Sequence, residues 1–265
     1  MALLGSVPIF RSPSVREWLR RRAHGAMVGL LRCRARPYPT GEAGVALIFA
    51  PHQDDATLGC GGMILLKRLE GVAVRIVYVT DGSASHRSHP LLLPPDLVAR
   101  RRREALAAAA VLGVEEAGIR FLGAPDGTLN RLASPAAAEL VEKIASLLRE
   151  FRPNEIFVPC RRDGSSEHEA AFGLVARARA AAGIPVRLLE YPIWARWNPR
   201  LLFGPLWRSR RVWRVDLCGY ESLKRKALAA YASQFAPVPP WTEPVLSAEF
   251  MSFFSSGVEL FFETE

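Results

Sequence analysis

A histidine and two adjacent aspartates, His52, Asp54 and Asp55, stand in the stretch LIFAPHQDDATLGCGG, where an apolar run ends and a glycine cluster begins. Side by side at the end of a buried strand, two carboxylates repel unless a cation or a proton compensates them. The i, i+3 spacing of His52 and Asp55 in a turning segment lets both converge on one metal ion, with Asp54 facing a neighbouring position. The competing role is local: Asp54 as a helix N-cap and Asp55 as a favourable first-turn charge. The glycines that follow, Gly59, Gly61 and Gly62, do not complete G-x-G-x-x-G, because position 64 is Ile64. Small residues there instead let backbone and helix approach the site closely.

A metal held by two protein groups needs a third, and the chain offers His24, His52, His86, His89 and His168. His24 lies in a basic N-terminal region, and His86 and His89 fall in the polar loop SASHRSHP. His168 is the best candidate, because CRRDGSSEHEAAF puts it in a second strand-end loop, beside carboxylates and opening a helix as the first motif does. Two histidines, one aspartate and an open position make a catalytic zinc site rather than a closed structural one. Cys33, Cys60, Cys160 and Cys218 form no CxxC pair, so cysteine ligation is not expected and reduced thiols in a cytoplasm-like compartment are.

The elements that must position these groups alternate along the chain. Val45–Ala50, Val72–Thr80, Ile119–Leu122, Glu155–Pro159, Val186–Tyr191 and Val212–Leu217 are short and rich in Val, Ile, Leu and aromatics, as buried strands are. Met63–Glu70, Asp96–Leu112, Ser134–Phe151, Glu169–Ala182 and Tyr220–Gln234 have the length and pattern of helices. This alternation predicts an α/β fold, a mostly parallel sheet flanked by helices. Ligands of such sheets bind outside the carboxyl ends of the strands, where both histidine loops fall.

Composition narrows the function classes. A chain of 265 residues that is 49% hydrophobic can bury one large core, and no repeat or low-complexity linker divides it. Its apolar runs are far shorter than the roughly 20 residues that cross a bilayer. The net charge of +9 attracts anionic surfaces in general and names none of them. No helix-turn-helix or RNA-recognition signature is present, so no specific nucleic acid is expected as a partner.

Taken together, these segments resemble the PIG-L/LmbE-like family of zinc-dependent N-acetylglucosamine deacetylases. The family's first motif, approximately A-H/P-H-P-D-D-E, stands here as APHQDDA (Ala50–Ala56), and its second, H-P-D-H, as SSEH (Ser165–His168). The similarity runs on through VTDG (Val79–Gly82), RRREALAAAAVLGV (Arg101–Val114), FLGAPDGTL (Phe121–Leu129) and KRKALAAYASQ (Lys224–Gln234). The resemblance implies a single Rossmann-like domain in which His52, Asp55 and His168 ligate zinc and Asp54 is the general base. One Zn2+ per chain is then expected, with another divalent metal as the alternative. Zinc lowers the pKa of bound water from about 15.7 toward roughly 7, and a nearby carboxylate can take its proton during attack on an amide carbonyl.

Three positions depart from the pattern: Ala56 replaces a glutamate, Glu167 an aspartate, and Ser165 a histidine that assists the oxyanion or the leaving group. Ser165 is therefore read as a weakened catalytic position. Asp126, in APDG, is read either as a binder of sugar hydroxyls or as part of an ordinary Pro-Asp-Gly turn. Arg101 either faces the substrate or forms an i, i+3 surface pair with Glu104.

Residues 1–44 read as a basic, amphipathic N-terminal extension and 45–265 as the catalytic domain. In the extension, Val15, Trp18, Leu19, Ala26 and Leu30 fall on one helical stripe between Arg16 and Arg20, suited to packing on the domain, to an anionic membrane surface, or to a transit sequence. Farther on, YPIWARWNPRLLFGPLWRSRRVW interleaves Trp194, Trp197, Trp207 and Trp213 with arginines, as a wall against a large or anionic acceptor or as a partner interface. The expected activity is hydrolysis of the acetamide of an N-acetylated amino sugar, within a glycan, glycolipid or glycoconjugate, in a cytoplasmic protein or one peripheral to a membrane. The alternatives are a hydrolase of another small amide, or an inactive basic relative that binds glycans or membranes.

Overall fold

The computed structural model describes residues 15–42, 44–198, 201 and 211–264. Within them, eight strands form one sheet: β1 (Arg36–Pro37), β2 (Val45–Ala50), β3 (Ala73–Thr80), β4 (Ile119–Ala124), β5 (Glu155–Pro159), β6 (Arg187–Tyr191), β7 (Arg211–Asp216) and β8 (Val258–Thr264). Their order across the sheet is β1-β7-β8-β6-β5-β2-β3-β4. Every neighbouring pair is parallel except those of β8, which runs antiparallel between β6 and β7. The expected α/β fold with a mostly parallel sheet is thus the observed one, and all six expected strands are present.

Helices cover both faces. α2 (Asp55–Leu69), α3 (Pro94–Val111) and α7 (Glu221–Ala229) lie on one side, and α4 (Ser134–Phe151) and α5 (Ser166–Ala182) on the other, while the short α6 (Trp194–Trp197) follows β6. β2 is apolar throughout because it is buried on both faces. Ala46, Ile48 and Ala50 pack with Cys60, Met63 and Ala108, while Leu47 and Phe49 pack with Ile144, Leu148 and Val175. Such a strand holds its carboxyl end rigidly, and that end carries the His52 loop.

Three elements differ from expectation. α2 starts at Asp55 rather than Met63, so the glycines are helical and not part of a turn. Glycine costs about 1 kcal/mol against alanine inside a helix, but here each is matched to a neighbour. The Tyr191 ring occupies the place of a Gly59 Cβ, the Lys224 stem packs on Gly61, and Leu217 and Glu259 pack on Gly62. Lys224 and Glu259 form a buried ion pair at 2.6 Å. It reaches both ends of one helical rung, Lys224 donating to Leu58 O at 2.9 Å and Glu259 accepting from Gly62 N at 2.6 Å.

The expected helix Tyr220–Gln234 breaks at Tyr231, leaving α7 and the short α8 (Ala232–Phe235). Tyr231 is fully buried and its hydroxyl meets Thr57 Oγ1 at 2.9 Å. The third difference is at the N-terminus, where the helix exists as α1 (Val15–Arg34) but turns another face inward. Among its described side chains Met27 and Leu31 are the buried ones, and with Ala35 just after the helix they pack against Val212, Leu260 and Phe262. Trp18 and Leu30 of the expected stripe are 53% and 52% exposed. The side chains of Val15, Arg16, Leu19 and Arg20 lie outside the described residues. β1, which follows α1, pairs with β7 in the main sheet.

Candidate active site

The loop after β2 and the first turn of α5 bring the predicted ligands together at the carboxyl ends of β2 and β5. His52 Nδ1 lies 3.0 Å from Asp55 Oδ2, and His168 Nε2 lies 3.3 Å from the same oxygen. These three residues offer donor atoms all within 4.8 Å of one another. Asp54 occupies the N-cap position of α2 but makes no side-chain capping bond, which removes the local role weighed for it. Asp55 is the residue that turns back, accepting from the backbone N–H of His52 at 2.9 Å.

The two aspartates have opposed acid–base character. Burial raises the Asp54 pKa, with Arg101 pulling it down and Asp55 pushing it up. Burial also works against charge on Asp55, but His168 and His52 outweigh it and hold this carboxylate well below the usual range. Burial disfavours charge on His52 as well, yet its hydrogen bonds to Asp126 and Asp55 push its pKa up to about 9. His168, likewise against burial, is pushed up to about 10 by Asp55 and Asp163. Neighbouring carboxyls driven apart in this way characterise sites with a division of labour.

Arg101 is not on a helix surface. It is 2% exposed, donates from Nη2 to Asp54 Oδ1 at 2.8 Å and from Nη1 to Gly82 O at 3.1 Å. Asp126 faces His52, its Oδ1 3.2 Å from Nε2, and its Oδ2 accepts from Ala84 N at 2.9 Å. Ser165 is the N-cap of α5, half-buried, and does not line the cavity above the histidines. Glu167 ties the Asp126 loop to α5 by accepting from Gly127 N at 3.2 Å and Leu129 N at 2.9 Å. Ala56 is fully buried in the core, so apolar packing stands where the family pattern has a glutamate.

That cavity has a volume of about 240 Å³, and Asp54, Arg101, Asp126, Ser85, Gln234, Trp194 and Phe250 line it together with the three predicted ligands. Of the Trp-Arg stretch, only Trp194 reaches it among the described residues. Trp197 packs edge-on against Phe253, Trp213 donates to Glu263 at 2.8 Å, and Trp207 lies outside the described residues. His86 and His89 are buried rather than in a free polar loop. His86 stacks on Trp241 at 5.2 Å and bonds Ser85 Oγ at 3.0 Å, and His89 donates to Val238 O at 3.0 Å.

Sequence reasoning passed over Asp163 and Ser85, and gave Gln234 no role beyond its place in the last matched segment. Asp163, fully buried, lies 2.6 Å from His168 Nδ1. Gln234 reaches the cavity because Glu104 accepts from Ser233 N at 2.8 Å and Ser233 Oγ at 2.6 Å. Ser85 follows Ala84, whose N–H holds Asp126. Asp163 stands five residues before the metal-type histidine and Gln234 ends the last matched segment, which were the available signals.

A family model, PIG-L: GlcNAc-PI de-N-acetylase, matches residues 47–179. The chain therefore belongs to the PIG-L family, and this membership makes it a hydrolase of acetamide C–N bonds. Among solved structures it is similar to a conserved protein from Thermus thermophilus, with 28% identity, 72% of this chain and 79% of that one covered, and a TM-score of 0.54. The N,N'-diacetylchitobiose deacetylase from Pyrococcus horikoshii is 22% identical over 86% of this chain and 82% of that one, with a TM-score of 0.59. The 4-carboxy-2-hydroxymuconate hydratase GalB from Pseudomonas putida is 20% identical over 72% and 80%, with a TM-score of 0.58. At such identities the last two define the fold alone, and the substrate must be argued from the site.

Proposed function

We propose that the protein is a metal-dependent N-deacetylase that releases acetate from an N-acetylated amino sugar carried on a glycan, glycolipid or glycoconjugate. The observation that carries this reading is the convergence of His52 Nδ1, Asp55 Oδ2 and His168 Nε2 with Asp54 alongside. Among the described residues, buried His168 Nε2 makes no well-aligned hydrogen bond and faces only the Asp55 Oδ2 oxygen at 3.3 Å, an arrangement that is costly for a polar atom unless something else meets its lone pair. Two imidazoles and one carboxylate fit zinc, which accepts nitrogen and oxygen donors in an incomplete tetrahedral set. When bound, the metal supplies a Lewis acid that polarises the acetamide carbonyl and makes a coordinated water acidic.

The remaining work falls to the chain itself. Asp55, held ionised by the histidines, contributes a ligand charge. Asp54, with its affinity for a proton raised by burial, takes the proton of the attacking water and returns it to the departing amine. Arg101 fixes the Asp54 carboxylate by its Nη2–Oδ1 bond, so the base meets the substrate in one orientation. Ser85, Gln234 and the free lone pairs of Asp126 offer hydrogen bonds to sugar hydroxyls, while Trp194 and Phe250 provide apolar faces for a pyranose ring.

A panel of N-acetylated sugars assayed for released acetate tests the reading. Release from at least one amino sugar, lost on chelation and restored by zinc, is expected. A metal-loaded protein that releases no acetate from any of them would contradict it.

A further inference from the structure

We propose that Asp126 and Asp163 are a matched pair of positioning residues, each fixing the proton of one metal-binding histidine on the side facing away from the metal. The inference rests on the reading of His52, Asp55 and His168 as ligands. The two imidazoles turn different nitrogens inward, His52 its Nδ1 and His168 its Nε2, both toward Asp55 Oδ2. No single tautomer preference of histidine serves both, so each ring needs its own outer acceptor. Each has one: Asp126 Oδ1 is 3.2 Å from His52 Nε2, and Asp163 Oδ2 is 2.6 Å from His168 Nδ1. A proton held on the outer nitrogen leaves the inner one with the lone pair a metal requires.

Both carboxylates are themselves fastened. Asp163 accepts from the backbone N–H groups of Ile193, Trp194 and Ala195 at 2.9, 3.0 and 3.0 Å, at the start of α6. Asp126, in the loop after β4, accepts from Ala84 N in the loop after β3. With the order β6-β5-β2-β3-β4, one histidine is braced from each side of the central strand. Backbone donors occupy part of each carboxylate, and among the described residues the remaining protein partner of each is the imidazole.

Asparagine at either position tests this, because its Oδ1 can keep a backbone N–H while its amide presents a donor to the imidazole. That donor draws the lone pair outward and drives the proton to the metal side. Zinc affinity measured by competition with a chromophoric chelator is expected to fall roughly 10- to 100-fold in Asp163→Asn and in Asp126→Asn. The metal-free melting temperature of Asp126→Asn should stay near that of the parent. In the zinc-loaded parent, nitrogen-15 NMR should find the proton on Nδ1 of His168 and on Nε2 of His52. Parent-like zinc affinity in both variants, or the opposite tautomers, overturns the proposal. Should Asp163→Asn fail to fold, Asp126→Asn carries the test alone. A variant at Asp126 with unchanged zinc affinity but a raised KM for N-acetylglucosamine would make it a sugar contact instead. A parent that binds no zinc defeats the metal reading itself. A parent that binds zinc and releases acetate, beside variants of equal affinity, defeats only this inference.

Discussion

Asp54 and Asp55 are chain neighbours in different environments, one fastened to a guanidinium and the other to two imidazoles, and the proposed division of labour between them rests on that difference. Arg101→Met would leave Asp54 buried without its cation. Removing one member of a buried pair costs about 3–5 kcal/mol unless the survivor takes up a proton. We expect Asp54 to take that proton, so that kcat for acetate release falls at least tenfold while zinc content is unchanged. A variant with the parent's kcat would separate Arg101 from the base. Ser165→Ala is expected to cost no more than about tenfold, or about 1.4 kcal/mol, because its side chain lies outside the cavity lining. A loss as deep as that of Asp54→Asn, seen in the same assay, would return Ser165 to the chemistry. At this scale the sequence was readable where chemistry is local. His52, Asp54 and Asp55 announce themselves by type and spacing, and His168 repeats the pattern. Arg101 was readable only as one of two alternatives, and Asp163 and the cavity position of Gln234 not at all, because their roles depend on partners brought from distant elements: Asp54, the turn at Ile193, and Glu104 through Ser233.

The elements hold the site by close packing. In α2, Gly59→Ala would gain about 1 kcal/mol of helix propensity but would strike the Tyr191 ring, whose hydroxyl donates to Phe49 O at 2.8 Å. Overpacking of this kind costs about 1–3 kcal/mol, so net destabilisation is expected. A chemical-denaturation midpoint equal to or above the parent's would contradict it. In α1, His24 packs edge-on to Phe253 at 4.2 Å between ring centroids. Burial, with Arg196 as the lesser cause, lowers its pKa to about 3. A depressed histidine contributes stability above its unfolded pKa of about 6.5 and loses it as the pH falls toward the folded value. His24→Leu should therefore flatten the loss of stability between about pH 6.5 and 4, and superimposable pH–stability curves would refute the assignment. The strands were legible as short apolar runs because parallel strands buried on both faces leave no polar alternation. β8 escaped notice because its place between β6 and β7 is set by pairing partners far away in the chain. Which face of α1 packs inward was left open by the sequence, because Met27 and Leu31 follow the same helical period as Trp18 and Leu30, which are exposed.

Across the whole molecule, the sheet places the two loops that carry the proposed ligands side by side although 113 residues separate Asp55 from His168 (168 − 55). β2 and β5 are adjacent and parallel, so both loops leave the same edge. A ligand that binds only this folded arrangement stabilises it by mass action, about 2.7 kcal/mol at a hundredfold excess over Kd. Zinc should accordingly raise the melting temperature of metal-stripped protein, and a melting temperature indifferent to zinc would contradict a preassembled site. The central claim is that His52, Asp55 and His168 hold the metal while Asp54 moves the proton. The most direct measurement is acetate release from an N-acetylated amino sugar turned over by the parent, with zinc content determined on the same samples, for the parent and Asp54→Asn. The account predicts about one zinc per chain in both and a loss of turnover of roughly 10²–10⁴-fold in the variant. Parent-like turnover by zinc-loaded Asp54→Asn would contradict it.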